Sequence, residues 1–196
     1  MEEEQEPPPL NVLFFTLEFV DPIFSGNGVH SRTCVEALLL RGCNVYVVCG
    51  RPKTSDDNNN EEKGSGTSSS SNLLSSNPVL HEAYVSKRLH IKVLPLRIWG
   101  HVSRQGPWEE YNTLATEQAT SIAIDYNNSV KKSTTNIVSN IVCGVDWTSW
   151  RAAESCRKKL TDDIGIVTLP MVHLNFRVYY EQPEQMQDDD VEFYLR

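Results

Sequence analysis

Residues 10–17, LNVLFFTL, form an almost unbroken apolar run, the pattern of a strand covered on both faces in a parallel sheet. A long loop over 18–28 follows. Apolar spacing then predicts a helix over 29–41 that buries Cys34, Val35, Leu38 and Leu39. Gly42 stands just past its end, where a left-handed residue terminates a helix at least cost. A second strand is expected over 44–49, broken by Gly50-Arg51-Pro52. Residues 89–96, LHIKVLPL, give a third strand, and IVCGV at 141–145 a fourth.

Between these runs the polar pattern changes character. Residues 54–77 are low in complexity and read as a disordered surface insert, because they offer little apolar surface to offset the entropy of ordering. Pro107 and the acids Glu109 and Glu110 open a helix whose buried face is Trp108, Tyr111, Ala115, Ala119, Ile122 and Tyr126. After Asp146-Trp147, Thr148 is expected to cap a helix that buries Trp150, Ala153, Cys156 and Leu160. A fifth strand is expected over 166–174, bent at Pro170. Residues 1–9 read as a disordered acidic tail, and 182–196 as a polar segment followed by the start of a helix that the sequence cuts off.

Strands alternating with helices predict an α/β fold, a doubly wound parallel sheet with right-handed crossovers, over 10–181. Ligands of such sheets bind outside the carboxyl ends of the strands. The polar and aromatic clusters of the chain fall at those ends.

Composition narrows the function classes. The 196 residues carry a formal charge of −8, but half of the 26 acidic residues lie in the N-terminal tail, the low-complexity tract and the C-terminal stretch. No long basic stripe points to nucleic acid. The five cysteines, Cys34, Cys43, Cys49, Cys143 and Cys156, sit mostly within apolar runs and read as small buried hydrophobes, not as a disulfide framework or a metal site. No apolar run reaches transmembrane length, and the acidic start is unlike a targeting peptide. A cytoplasmic protein with no metal and no resident cofactor is expected.

The chemistry turns on Gly26-Asn27-Gly28. A dinucleotide fold places its glycines directly after the first strand and an acid at the end of the second. Here the glycines come some eight residues late, and Arg51 stands where the acid belongs. An NADP-binding oxidoreductase is therefore an alternative, with Arg51 meeting a 2′-phosphate. A simple tight turn is another. A third reading brings the bare glycine backbone and helix N–H groups close to a charged ligand.

The long loop after strand one, the Gly26/Gly28 pair, the closing stretch LLLRGCNVYVVCG, the segment VCGVDWTSWRAAESC and the strand GIVTLPMVHLNFRVYYE together resemble the N-terminal domain of retaining family 4 glycosyltransferases. The resemblance implies the Rossmann-like, acceptor-side half of a GT-B enzyme related to glycogen, starch and sucrose-phosphate synthases. It implies backbone contacts from Gly26, Asn27 and Gly28 to a nucleotide-sugar donor. It places Asp146 on the cleft floor beside Trp147, and His173 or Asn175 near the reacting sugar, with Arg177 as a phosphate contact. Plainer readings stand beside these: Asp146 as a helix-start residue, His173 as a satisfied strand histidine, Arg177 as an ion-pair partner, and Trp147 and Trp150 as core. The donor-binding second domain of such enzymes is missing from the sequence. The chain is thus expected to be weakly active or inactive unless a second domain or partner subunit completes it, and a non-catalytic interaction subunit is the remaining alternative.

Overall fold

Five parallel strands in the order β3-β2-β1-β4-β5 form the centre of the molecule. The computed structural model describes residues 10–58, 67–100, 106–131, 140–165 and 169–174. The strands are β1 (Asn11–Glu18), β2 (Asn44–Pro52), β3 (Leu89–Leu96), β4 (Asn140–Val145) and β5 (Met171–Leu174). The helices are α1 (Gly26–Leu40), α2 (Thr67–Ser76), α3 (Pro78–Val85), α4 (Pro107–Glu117), α5 (Ala119–Lys131) and α6 (Trp147–Asp162). This is a Rossmann-like α/β fold.

Alternation along β1 builds both layers. Leu13 and Phe15 face Tyr111, Ala115, Ile122, Ala153 and Cys156, on the side covered by α4, α5 and α6. Val12 and Phe14 face Val35, Leu39, Leu80 and Ala83, on the side covered by α1, α2 and α3. Every β1 residue is buried, which explains its unbroken apolar run. Fully burying one such side chain stabilises by roughly 1.5–3 kcal/mol.

The polar start of β1 sets its alignment. Asn11 accepts from Asn44 Nδ2 at 2.9 Å and donates to Asn140 Oδ1 at 3.3 Å, and Tyr126 Oη donates to Asn140 Oδ1 at 2.8 Å. Asn11 pairs in register with both Asn44 and Asn140. A slip of one residue would strand a buried carboxamide, so this ladder specifies the pairing.

Several expectations are corrected. The stretch Gly50-Arg51-Pro52 does not break β2 but continues it, paired with Leu94, Pro95 and Leu96 of β3. Residues 54–77 are not wholly without structure. A 3-10 turn spans Ser55–Asn58, and α2 follows with Leu73 and Leu74 buried. The sequence reading also missed α3, which opens with Asn77 Oδ1 accepting from Leu80 N at 3.1 Å and Pro78 in the first turn. The long helix expected from 106 is two helices, with Gln118 at the junction. Helix α1 begins at Gly26, inside the presumed loop, and among the described residues β5 spans Met171–Leu174. The tail 1–9 and the segment 182–196 lie outside the described residues.

Candidate functional site

Where β1 leaves the sheet, its last residue is a buried acid. Glu18 is 1% exposed. Its Oε2 accepts from Phe24 N at 2.6 Å and Ser25 N at 2.9 Å, and Ser25 Oγ donates to its Oε1. The same Ser25 Oγ caps α1 by accepting from Asn27 N at 3.2 Å. The loop thus folds around the carboxylate at the positive end of α1, where negative charge is favoured. Its outer side is held too. Arg32 Nε donates to Phe19 O at 2.6 Å, Trp99 Nε1 donates to Pro22 O at 3.0 Å, and Trp99 meets Phe24 edge-on at 5.1 Å.

The end of β4 approaches the same helix. Asp146, not Thr148, is the N-cap of α6: its Oδ1 accepts from Trp147 N at 2.9 Å. Its Oδ2 accepts from Asn27 Nδ2 at 3.2 Å. Asp146 adopts φ 56°, a left-handed conformation that costs a non-glycine residue energy and clusters at functional sites. Its own N–H donates to Leu174 O at 2.9 Å, so the two strand ends hold it there. Asn27 Oδ1 is buried and has no hydrogen-bond partner among the described residues. An orphaned buried acceptor of this kind is uncommon and costly.

Beside this pair, the starts of α4 and α6 and the end of β5 enclose an open cleft of about 800 Å³. Trp108, Trp147 and Trp150 contribute indoles, and Glu109, Arg151 and His173 contribute polar edges. Trp108 and Trp147 meet edge-to-face at 5.0 Å, and Trp150 lies 4.8 Å from His173. The two helices are joined beneath by Asn112, which donates to Trp108 O at 2.9 Å and Thr148 O at 3.0 Å while accepting from Ala152 N at 2.9 Å. With those bonds made, the Asn112 carboxamide serves as a strut.

The structure therefore gathers Gly26, Asn27, Gly28, Asp146 and Trp147 at the carboxyl ends of β1 and β4, with His173 across the cleft on β5. Asn175 and Arg177 lie outside the described residues. The role expected of Gly28 changes. A Cβ there would lie 2.7 Å from Ile23 Cγ2 and 3.2 Å from Glu18 Cβ, so the missing side chain lets the loop pack on the helix. Trp147 and Trp150 are half-exposed and line the cleft, whereas the bland reading had them as core. Glu18 and Arg151 were not expected at the site, and Trp108, expected on a buried helix face, is partly exposed and lines the cleft. The available signal for Glu18 was an acid ending an apolar run immediately before a helix-capping loop.

Arg51 is also explained. It is 8% exposed and bonds Asp57 through both Nη atoms, and it donates to Pro52 O at 2.9 Å. The Arg51 hydrogen bonds, aided by bonds from Thr54, hold the Asp57 carboxyl well below the usual carboxylate range.

Comparison with known proteins adds little. No family model matches the chain, and no curated protein does. One solved structure that it resembles is a short-chain dehydrogenase/reductase from Burkholderia vietnamiensis, at 14% identity over 96% of this chain and 90% of that one, with a TM-score of 0.30. The expectation of a family 4, GT-B glycosyltransferase domain is corrected: no glycosyltransferase family model and no curated glycosyltransferase matches the chain. The loop gives a physical reason: the Gly28 N–H expected at the donor donates to Ser25 O at 3.3 Å, the Asn27 N–H to Ser25 Oγ, and the Phe24 and Ser25 N–H groups to Glu18. So distant a neighbour assigns no activity in its turn. No helix among the described residues is long and apolar enough to cross a membrane.

Proposed function

We propose that the chain is a binding domain for an uncharged, hydroxyl-bearing ring compound, a sugar or cyclitol, held at the carboxyl rim of the sheet. The observation that carries this reading is the cleft of about 800 Å³ with indoles from Trp108, Trp147 and Trp150 and polar edges from Glu109, Arg151 and His173. Its size suits a small organic ligand. Indole faces pack against the C–H faces of a ring, while carboxylate, guanidinium and imidazole groups exchange hydrogen bonds with ring hydroxyls.

Charge argues for a neutral ligand. Among the described residues of the cleft wall, Glu109 and Glu117 oppose Arg151, and the buried carboxylates Glu18 and Asp146 stand at the neighbouring strand ends. A diphosphate would meet mostly like charge. The oxidoreductase alternative gains nothing from Arg51, whose guanidinium is engaged by Asp57. We assign no transfer or redox step to the site.

Calorimetric titration with glucose, maltose and myo-inositol, alongside NADPH, tests this. Saturable heat is expected with at least one of the neutral compounds, abolished by Trp150→Ala, and none with NADPH. Saturable binding of NADPH with no response to the neutral series would overturn the reading.

A further inference from the structure

We infer that Glu18 determines which ligands this rim rejects, by occupying from within the chain the place at the start of α1 that a phosphate would take. The inference goes beyond the reading above, because it concerns exclusion and holds whichever neutral compound the cleft accepts. In parallel α/β sheets the turn from β1 into α1 is the usual anion site, since its N–H groups and the helix dipole converge there. Here that convergence is spent on Glu18: the N–H groups of Phe24 and Ser25 and the hydroxyl of Ser25 all donate to its carboxylate. The Ser25 hydroxyl in turn secures the Asn27 N–H.

Three further features keep the occupant in place. Gly28 lets Ile23 and the Glu18 stem lie against the helix. Arg32 and Trp99 pin the loop backbone at Phe19 and Pro22. Thr16 Oγ1 donates to the Glu18 carbonyl at 3.1 Å and lies 2.7 Å from Ser31 Oγ, fixing the backbone beneath. An entering phosphate would have to unpick this loop and would still face Asp146, itself 1% exposed.

A second observation has the same sense. Asn27 Oδ1, an acceptor, has no hydrogen-bond partner among the described residues, and the residue that carries it is 8% exposed. Its other terminus is committed to Asp146. Glu18, Asp146 and Asn27 Oδ1 are thus three buried acceptors beneath the rim. Their lone pairs and charge disfavour phosphoryl oxygens, which only accept.

Amide-resolved NMR of the wild-type chain, titrated with pyrophosphate, and the same titration of Glu18→Ala and Glu18→Gln, test the assignment. In the wild type the Phe24 and Ser25 amides should not respond, and a saturable shift there would overturn the proposal. Removing the side chain in Glu18→Ala frees the donors, so pyrophosphate should bind at least about tenfold more tightly than to the wild type, equivalent to ~1.4 kcal/mol. Formate, the size of the lost carboxylate, should raise the variant's Tm but not the wild type's. Glu18→Gln fills the same volume and should gain no affinity. A folded Glu18→Ala variant indifferent to both anions would refute the inference. If that variant folds only with formate or pyrophosphate present, the anion is doing the work of Glu18, and the inference is supported. If it folds in no buffer, the wild-type amides decide.

Discussion

Asn27 Nδ2 donates to Asp146 Oδ2 at 3.2 Å, joining the start of α1 to the end of β4 across 119 residues of chain. Asp146 also caps α6 and holds φ 56°. Asp146→Ala removes the cap and leaves a buried amide donor unpaired, while the backbone cost stays as in the wild type, for a loss of about 2–4 kcal/mol. Asp146→Asn keeps one acceptor oxygen for the cap and bears the same backbone cost as the aspartate, so it should lose roughly 1 kcal/mol or less. Urea unfolding of both variants checks the order. Equal stabilities would mean that the carboxylate, not the local geometry, matters.

Gly28 is a packing glycine. A methyl group there would lie 2.7 Å from Ile23 Cγ2 and 2.9 Å from Ile23 Cβ. Gly28→Ala should therefore destabilise by about 1–3 kcal/mol through overpacking. Adding Ile23→Gly removes both contacting atoms, and the double variant should be more stable than the sum of the two single losses. A strictly additive double-mutant cycle would show that the two positions do not press on each other.

The sheet was legible because a strand buried on both faces leaves a continuous apolar run, and β3 was placed at its observed limits, Leu89–Leu96. The placement of Asp146, Trp147 and Asn27 at the carboxyl ends of strands was legible, because capping residues and glycines belong where a strand turns into a helix. That same physics misled the family reading. Glycines, an Asp-Trp step and a polar strand end in this order are features that many parallel α/β chains share. The indole cleft was not legible, since it arises from α4 packing against α6, 36 residues apart at the Asn112–Thr148 bond. Helix α2 was hidden by its serines, although Asn77-Pro78 did carry a readable cap for α3.

That hidden helix makes a sharp test. Leu73 is 2% exposed and packs in the cluster with Leu80 and Ala83. Leu73→Ala should cost about 2–4 kcal/mol, as for a core leucine, while Ser75→Ala on the exposed side should change little. Thermal unfolding distinguishes the two. An unchanged Tm for Leu73→Ala would mean that the serine-rich stretch contributes no core.

The cysteines should be chemically quiet. Burial pushes Cys49, Cys143 and Cys156 up to about 12, and burial also raises Cys34 and Cys43. At pH 8 the thiolate fraction in the folded chain is small, so an aromatic disulfide reagent should react slowly. Cys34, half-exposed and 3.4 Å from His30 Nε2, should react first. All five should react at once in guanidinium. Rapid native reaction at a buried cysteine would show that its face of the sheet opens readily.

The Arg51–Asp57 pair gives the pH dependence. Asp57 accepts from both Nη atoms of Arg51, from Thr54 N at 2.7 Å and from Thr54 Oγ1 at 3.0 Å. The Arg51 hydrogen bonds are the largest cause of its lowered pKa, and partial burial opposes them. An unfolded aspartate titrates near ~3.9. Because the folded value lies below this, the unfolded chain binds the proton more readily on acidification. The pair's stabilisation is therefore complete above the unfolded pKa and drains away as pH falls through the folded one. The stability difference between wild type and Asp57→Asn should be flat from about pH 5 to 8 and shrink below about pH 4. Salt should weaken it only partly, because Arg51 is buried. Denaturant titrations at fixed pH values measure the gap. A gap that widens on acidification would mean that Asp57 gains its proton on folding, and that Arg51 is free for another anion after all.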